Sequence, residues 1–323
     1  MPDATDSPLA KVTGGELATE AFELLSDETR LAILVALWER DEPFADEPAV
    51  RFSELRERVG TRDSGRFSYH LDRLDGHFLE STAEGYELTE AGRRLVRTVV
   101  AGAGIETPDF EARTVDQDCG LCGAPVEVDY EEGWVYVRCT GCEGIWTDLG
   151  DHESGHLAKF SLAPAGLRGR SADEIYAAAW IHAHYVLYPM LEGVCPTCTG
   201  VVDRWLAVCE DHDAGESVCD ACGRRGRAVG RLRCTVCKKS GQMTLGGVAR
   251  FHPAVVDLYY AHGLALQYGF DDLDQIDRRL TRGSTDVEVL AAEPARVRVT
   301  TRIDGDAVTL ELEDSLRVVD VDA

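Results

Sequence analysis

The sequence predicts an α+β chain: helices with one short hairpin, then a cysteine-paired module with two helices, then a small antiparallel sheet. Three observations carry this. Residues 16–100 show apolar spacing at helical period, with Ser, Asp or Thr at the starts of the segments. Ten of the eleven cysteines fall in five Cys-x-x-Cys pairs between Cys119 and Cys237. From Asp286 onward apolar and charged residues alternate with period two. The expected segments are a loose tail over 1–14, a first domain over 15–103, a first cysteine ribbon over 113–150, a helical segment over 151–193, a second cysteine-rich module over 194–250, and a helix plus antiparallel strands over 251–323.

In the first domain a helical pattern begins at Glu16 and breaks near Ser26-Asp27, which can cap the next helix. Leu31 to Trp38 is apolar on most faces and so belongs at the centre. A Pro-containing loop from Asp41 to Pro48, a short helix from Ser53 to Val59 and a Gly60-Thr61 turn follow. The next helix, Ser64 to Leu74, carries two stripes. Phe67, Leu71 and Leu74 would be buried, while Arg66, Tyr69, His70 and Arg73 repeat at i, i+3, i+4, i+7. Arginine can pair bidentately with guanine or grip phosphate, and Tyr and His can donate to base edges. Between Arg51 and Arg73 six arginines face four acids, a local positive balance inside a chain of net charge −25. The candidate nucleic-acid contacts are therefore Arg62, Ser64, Arg66, Tyr69, His70 and Arg73. Phe78 to Leu88 reads as two short strands around Gly85, and Thr89 caps a closing helix through Val100.

That order, and the segments Leu25-Ser-Asp-Glu-Thr-Arg-Leu-Ala-Ile-Leu34, Phe52-Ser-Glu-Leu55, Phe67-Ser-Tyr-His-Leu-Asp-Arg-Leu74 and Tyr86-Glu-Leu-Thr-Glu-Ala-Gly92, resemble the ArsR-like winged helix-turn-helix regulators. The chain more closely resembles the haloarchaeal helix-turn-helix regulators that carry a zinc-ribbon C-terminal part. The resemblance implies a transcriptional regulator that binds double-stranded DNA as a homodimer on a pseudo-palindrome. Two features depart from it. The first domain holds no cysteine, and the wing carries Glu80, Glu84 and Glu87, which weakens any phosphate grip there.

Composition frames the setting. Twenty-nine of the 33 basic residues are arginine, against 58 acids, a surface like that of proteins working in molar intracellular salt. At such salt the screening length falls to about 3 Å, and affinity driven by phosphate contacts falls with it. No apolar run reaches the ~18–20 residues of a membrane span, and Met1 to Lys11 lacks a signal-peptide layout. A cytoplasmic protein is expected, and with it reduced cysteines held for metal rather than disulfides.

Cys119, Cys122, Cys139 and Cys142 flank a predicted hairpin from Val126 to Val137 turning at Gly133, the layout of a closed structural zinc site. The second cluster offers Cys195, Cys198, Cys209, Cys219, Cys222, Cys234 and Cys237, with His212 completing an eighth ligand as Cys-x-x-His. Three zinc ions per chain are expected, two if His212 is not a ligand. The most local pairing joins 195/198 to 209/212 and 219/222 to 234/237, because short loops cost least to close. Interleaved pairing, 195/198 with 219/222 and 209/212 with 234/237, stays open. From Gly223 to Ser240 seven cations occur with no acid, either balancing thiolate charge or meeting nucleic acid or an acidic partner.

Ser171 and Glu174 form a capping box opening a helix to about Tyr188, before Pro189. Its Trp180, His182, His184 and Tyr188 suit a core, a subunit interface or an effector pocket. A second helix runs from Pro253 to about Tyr268, carrying Tyr259, Tyr260 and His262. At the C-terminus Val297, Val299 and Ile303 face one way and Arg296, Arg298 and Arg302 the other; Asp304-Gly305 is a hairpin turn, and Val308, Leu310 and Leu312 return with Glu311 and Glu313 outward. No phosphate loop, nucleophile motif or open zinc triad is present in the sequence, so no enzyme is expected. The alternatives to a DNA regulator are a zinc-ribbon adaptor for protein or RNA and a regulator responding to metal or redox state.

Overall fold

The computed structural model of the chain describes residues 22–42, 49–102, 108, 110–147, 154–213, 215, 217–264 and 283–323. The expected tail over 1–14, the start of the first helix at Glu16 and most of the Asp41 to Pro48 loop lie outside these residues, whereas the helix expected to run from Pro253 to about Tyr268 ends at Ala261, with Gly263 in the left-handed region just after it. The chain is α+β, the named strands among the described residues all pair antiparallel, and it divides into two compact units, Met1–Ile105 and Glu106–Ala323.

In the first unit, helical residues 22–25 lead to Asp27, whose carboxylate accepts from the Arg30 N–H at 3.1 Å and caps α1 (Glu28–Trp38). Burial alone would raise the Asp27 pKa, but the Arg30 N–H and the charges of His70 and Arg30 bring it below its ordinary value. The Arg30 guanidinium turns back to donate to the carbonyls of Leu24 and Glu23, satisfying the preceding helix end. α2 (Phe52–Val59) stops at Gly60, whose φ is +72°. Asp63 then caps α3 (Ser64–Leu74). β1 (Leu79–Ser81) pairs with β2 (Tyr86–Leu88), and Val50 adds a bridge to Tyr86. α4 (Glu90–Val100) starts at Thr89, whose hydroxyl accepts from the Gly92 N–H and donates to the His77 carbonyl. Ile33, Leu37, Leu55, Phe67, Leu71, Leu74, Leu88 and Val96 close one core among these elements.

The four segments expected after residue 113 belong to one compact unit. β3 (Phe110–Asp118), β4 (Pro125–Glu131), β5 (Trp134–Cys139) and β6 (His156–Ser161) form a sheet in that order. The predicted hairpin is β4–β5, with Asp129 opposite Tyr136; β3 and β6 add edges that the sequence pattern does not announce. α5 (Ala172–Leu191) carries the predicted capping box, the Ser171 hydroxyl accepting from the Glu174 N–H and the Glu174 carboxylate from the Ser171 N–H. The helix does not stop before Pro189 but runs through it. Proline in the last turn forfeits one backbone bond there.

The second half contains a sheet of β7 (Val202–Val208), β8 (Ala228–Cys234) and β9 (Ser240–Thr244), the helices α6 (Leu245–Ala249) and α7 (Pro253–Ala261), and a meander of β10 (Gly283–Ala292), β11 (Ala295–Ile303), β12 (Asp306–Glu313) and β13 (Val318–Asp322). β11 and β12 pair as the sequence implies, with Val299 opposite Leu310 and Arg298 opposite Glu311. Arg298 bridges Glu311 and Glu288, each at 2.8 Å. α5 spans about 30 Å at 1.5 Å per residue and serves two cores. Ile175, Tyr176 and Ala179 pack on β3–β6, while Met190 and Leu191 join the core of the two later sheets.

Candidate metal centres and nucleic-acid interface

Three tetrads of ligand atoms could hold metal ions: Cys119, Cys122, Cys139 and Cys142; Cys195, Cys198, Cys234 and Cys237; and Cys209, His212, Cys219 and Cys222. Within each, all four atoms lie within 4.8 Å of one another. The geometry can be tested against zinc. Four sulfurs at about 2.3 Å from a tetrahedral centre stand about 3.8 Å apart, and a sulfur and an imidazole nitrogen about 3.6 Å. Cys119 and Cys142 sulfurs are 3.8 Å apart, Cys122 and Cys139 3.4 Å, and Cys195–Cys237 and Cys198–Cys234 both 3.5 Å. The His212 Nδ1 is 3.6 Å from the Cys222 sulfur. The donor sets and spacings fit zinc.

The ligand pairing in the second cluster is neither the local nor the interleaved arrangement. It is nested: 195/198 joins 234/237, and 209/212 joins 219/222 inside that loop. The β7–β8 register explains it. Val202 sits opposite Cys234 and Val208 opposite Ala228, so the outer knuckles meet at one end of the hairpin and the inner ones at the other. Six residue steps at about 3.4 Å put the two ends roughly 20 Å apart. Loop length misleads here because strand pairing, with its own hydrogen bonds, closes the longer loop.

Local backbone holds the knuckles. The N–H groups of Leu121, Gly141 and Val236 point at the sulfurs of Cys119, Cys139 and Cys234 at 3.3–3.4 Å, favouring thiolate over thiol. The residue after the second cysteine is left-handed in Gly123, Thr199, Gly223 and Lys238, a tight turn that aims both sulfurs inward. His212 is oriented from behind: Nε2–H donates to the Arg225 carbonyl at 3.2 Å, which leaves the Nδ1 lone pair facing the thiols, the usual outer support of a metal-binding imidazole.

The thiols themselves show why a dication belongs there. For Cys195, burial raises the pKa, but the N–H groups of Cys198 and Thr197 and the neighbouring thiols outweigh it and draw it to about 6. For Cys237 the Lys239 N–H lowers it, yet hydrogen bonding with Cys198 and Cys195 leaves it at about 12. Cys222 is raised by burial but brought to about 7 by His212 and Arg224, while Cys209 is pushed up to about 11 by burial and by Cys222. Thiolates this close compete for the same protons unless a metal takes their place. No disulfide joins any of the eleven cysteines.

The first and third tetrads are mechanically joined. Trp146 bridges Arg224, with the Thr147 N–H donating to the Gly223 carbonyl at 3.0 Å and the Arg225 N–H to Ile145 at 2.9 Å. The Glu143 carboxylate accepts from the Val218 N–H at 3.1 Å, and the Arg225 Nε donates to the Gly144 carbonyl at 3.0 Å. The basic run after Gly223 therefore divides. Arg224, Arg225 and Arg227 brace the metal knuckles, Arg227 by donating to the Cys209 carbonyl at 3.2 Å.

On α3 the structure separates the two predicted stripes, with one correction. Phe67, Leu71 and Leu74 are buried, and Arg62, Ser64, Arg66, Tyr69 and Arg73 are exposed. His70 is only 3% exposed, its Nδ1 lying 3.5 Å from the Asp27 carboxylate at the start of α1. Position 70 is i+3 from Phe67 and i−4 from Leu74, so it lies on the apolar side and cannot reach a base edge from there. Among the described residues, Arg62, Arg66 and Arg73 engage no carboxylate, whereas Arg58 of α2 is held by Glu54 at 3.4 Å and Glu39 at 3.7 Å. In the β1–β2 hairpin Glu80 stands directly opposite Glu87, so the hairpin presents negative charge.

Among the described residues no helix is long and apolar enough to cross a membrane. Residues 18–99 match the family described as Domain of unknown function (DUF7347), and no curated protein and no solved structure matches the chain. Residues 116–318, which include all three tetrads, match the family described as Domain of unknown function (DUF7351), and because that match takes in more than half of the sequence the chain belongs to this family.

Proposed function

We propose that the chain is a DNA-binding transcriptional regulator of the ArsR-like winged helix-turn-helix kind, with three structural zinc ions in its second unit. α3 is the recognition helix, β1–β2 the wing, and the working form a homodimer in a salt-rich cytoplasm. The observation that carries the reading is the outer face of α3. Arg66, Tyr69 and Arg73 project from a helix whose other face is locked in the core, Arg62 lies just before its Asp63 cap, and among the described residues the three arginines are left without carboxylate partners in a chain with 58 acids. A groove of base edges and phosphates accounts for such cations. The zinc sites are closed by four protein ligands and so leave no position for a substrate, which supports a non-enzymatic role.

With Glu80 and Glu87 on the wing, α3 must supply the contacts through close base-edge pairing, which survives salt better than phosphate attraction. Repeated selection of duplexes from a randomised pool, at molar potassium chloride, tests the proposal. Enrichment of an inverted repeat with half-sites one helical turn apart, about 34 Å, is expected for a homodimer. A pool that gains no duplex sequence, with retention of RNA or protein partners instead, would favour an adaptor and remove the regulator reading.

A further inference from the structure

Between the β3–β6 sheet, α5 and the β7–β9 sheet lies a cavity of about 540 Å³, within the roughly 300–1,000 Å³ of small-molecule sites. Its walls are unlike the rest of the chain. Four of the five tryptophans, Trp134, Trp146, Trp180 and Trp205, line it. So do five cations, Lys159, Arg231, Arg233, Lys239 and Arg250, with no Asp or Glu among the lining residues. In a sequence of 58 acids and 33 bases, that selection runs against the composition.

The cations are not occupied by the protein itself. Among the described residues Arg233, Lys239 and Arg250 have no carboxylate partner. Arg231 donates only to the Gln242 side-chain oxygen at 3.0 Å, and the Lys159 ammonium rests 4.7 Å from the ring centres of Trp134 and Tyr136. Two donors are also left over. Among the described residues the Trp180 indole N–H and the Arg250 Nε are shielded from water and have no hydrogen-bond partner, a cost that an incoming acceptor would relieve. Flat indole surfaces, spare cationic charge and orphaned donors converge on one kind of guest.

We propose that this cavity binds a small planar aromatic anion, its ring system against the indoles and its acidic group held by Arg233, Lys239 and Arg250. The assignment accounts for Arg231, Arg233 and Lys239, three of the four cations of the basic run that the metal knuckles leave unused. It does not depend on the DNA reading. A single-stranded nucleic acid would use the same residue types, but it needs an extended groove along its backbone, and this half-open cavity of about 540 Å³ is the size of one small ligand.

The zinc-loaded full chain is titrated by calorimetry with 2-naphthoate and with the neutral 2-naphthamide. Saturable binding of one naphthoate per chain is expected, at least about 10-fold tighter than the amide because the charged hydrogen bonds are lost in the latter. Arg233→Ala with Lys239→Ala, two surface-reaching side chains, should weaken naphthoate by about 10-fold or more while leaving zinc content unchanged. Trp180→Phe, which keeps a ring and removes the N–H, should also weaken it. Equal affinity for acid and amide, or full affinity in the double variant, overturns the proposal. Binding of oligothymidylate in preference to naphthoate overturns it in favour of a nucleic-acid site.

Discussion

The nested arrangement of the metal ligands can be tested by counting ions in paired variants. Cys219 and Cys234 belong to different tetrads here, as do Cys195 and Cys219, and the two hairpin ends they occupy are roughly 20 Å apart, too far to share an ion. Each structural zinc contributes on the order of 10 kcal/mol to folding of its knuckles, so a site missing one thiolate loses its ion rather than holding it weakly. The wild type should carry three zinc ions. Cys219→Ser and Cys234→Ser singly should each carry two, and the double variant one. Local pairing would place both residues in one site and leave the double variant with two. Cys195→Ser with Cys219→Ser should likewise fall to one, whereas interleaved pairing would leave two. Metal analysis of the purified chains after dialysis reads the number directly. A double variant retaining two ions in either pair would refute the register argument.

Other consequences follow from single contacts. A Cβ at Gly92 would lie 2.0 Å from the Phe78 carbonyl oxygen, so Gly92→Ala should destabilise the first unit by roughly 1–3 kcal/mol, seen as an earlier melting transition with zinc content unchanged. His182 has its pKa lowered from 6.5, first by burial and then by Lys239. The unfolded chain therefore takes up a proton before the native one does on acidification, and this part of stability, present above about pH 6.5, is lost below it. His182→Gln should flatten the fall in denaturant midpoint between pH 7 and 5.5; an unchanged slope would contradict the burial argument. Glu80→Arg with Glu87→Arg should relieve like charges facing each other across the hairpin and, on the DNA reading, raise duplex affinity with a steeper salt dependence. A gel shift across potassium concentrations showing no change in slope would mean that the hairpin does not approach phosphate.

Much of this architecture was readable from local chemistry. Capping side chains at Asp27, Thr89 and Ser171, the turns at Gly133 and Asp304-Gly305, and the Arg–Glu register of β11 and β12 are all set by neighbours in sequence or across one tight turn. What escaped the sequence was decided at longer range. His70 satisfies the spacing of both stripes of α3, and only the approach of the α1 N-terminus assigns it to the core. β3 and β6 are edge strands with partly polar surfaces, so their alternation is weak. The nested thiolate pairing depends on a β7–β8 register that loop lengths do not report. Trp134, Trp146, Trp180 and Trp205 are scattered over some seventy residues, and only the packing of two sheets around α5 brings them to one cavity. Of the four α5 residues considered for such a pocket, Trp180 lines it, whereas His184 and Tyr188 pack on Phe251 with ring centres 4.7 and 5.4 Å away.

The central claim is that α3 reads duplex DNA, and the affinity of the Arg66→Ala, Arg73→Ala variant for a selected duplex at molar potassium measures it most directly. Two lost base or phosphate contacts at about 1–3 kcal/mol each predict a drop of roughly 30-fold or more, with folding and three zinc ions intact because both side chains are exposed and unpaired. Wild-type affinity in that variant would contradict the account.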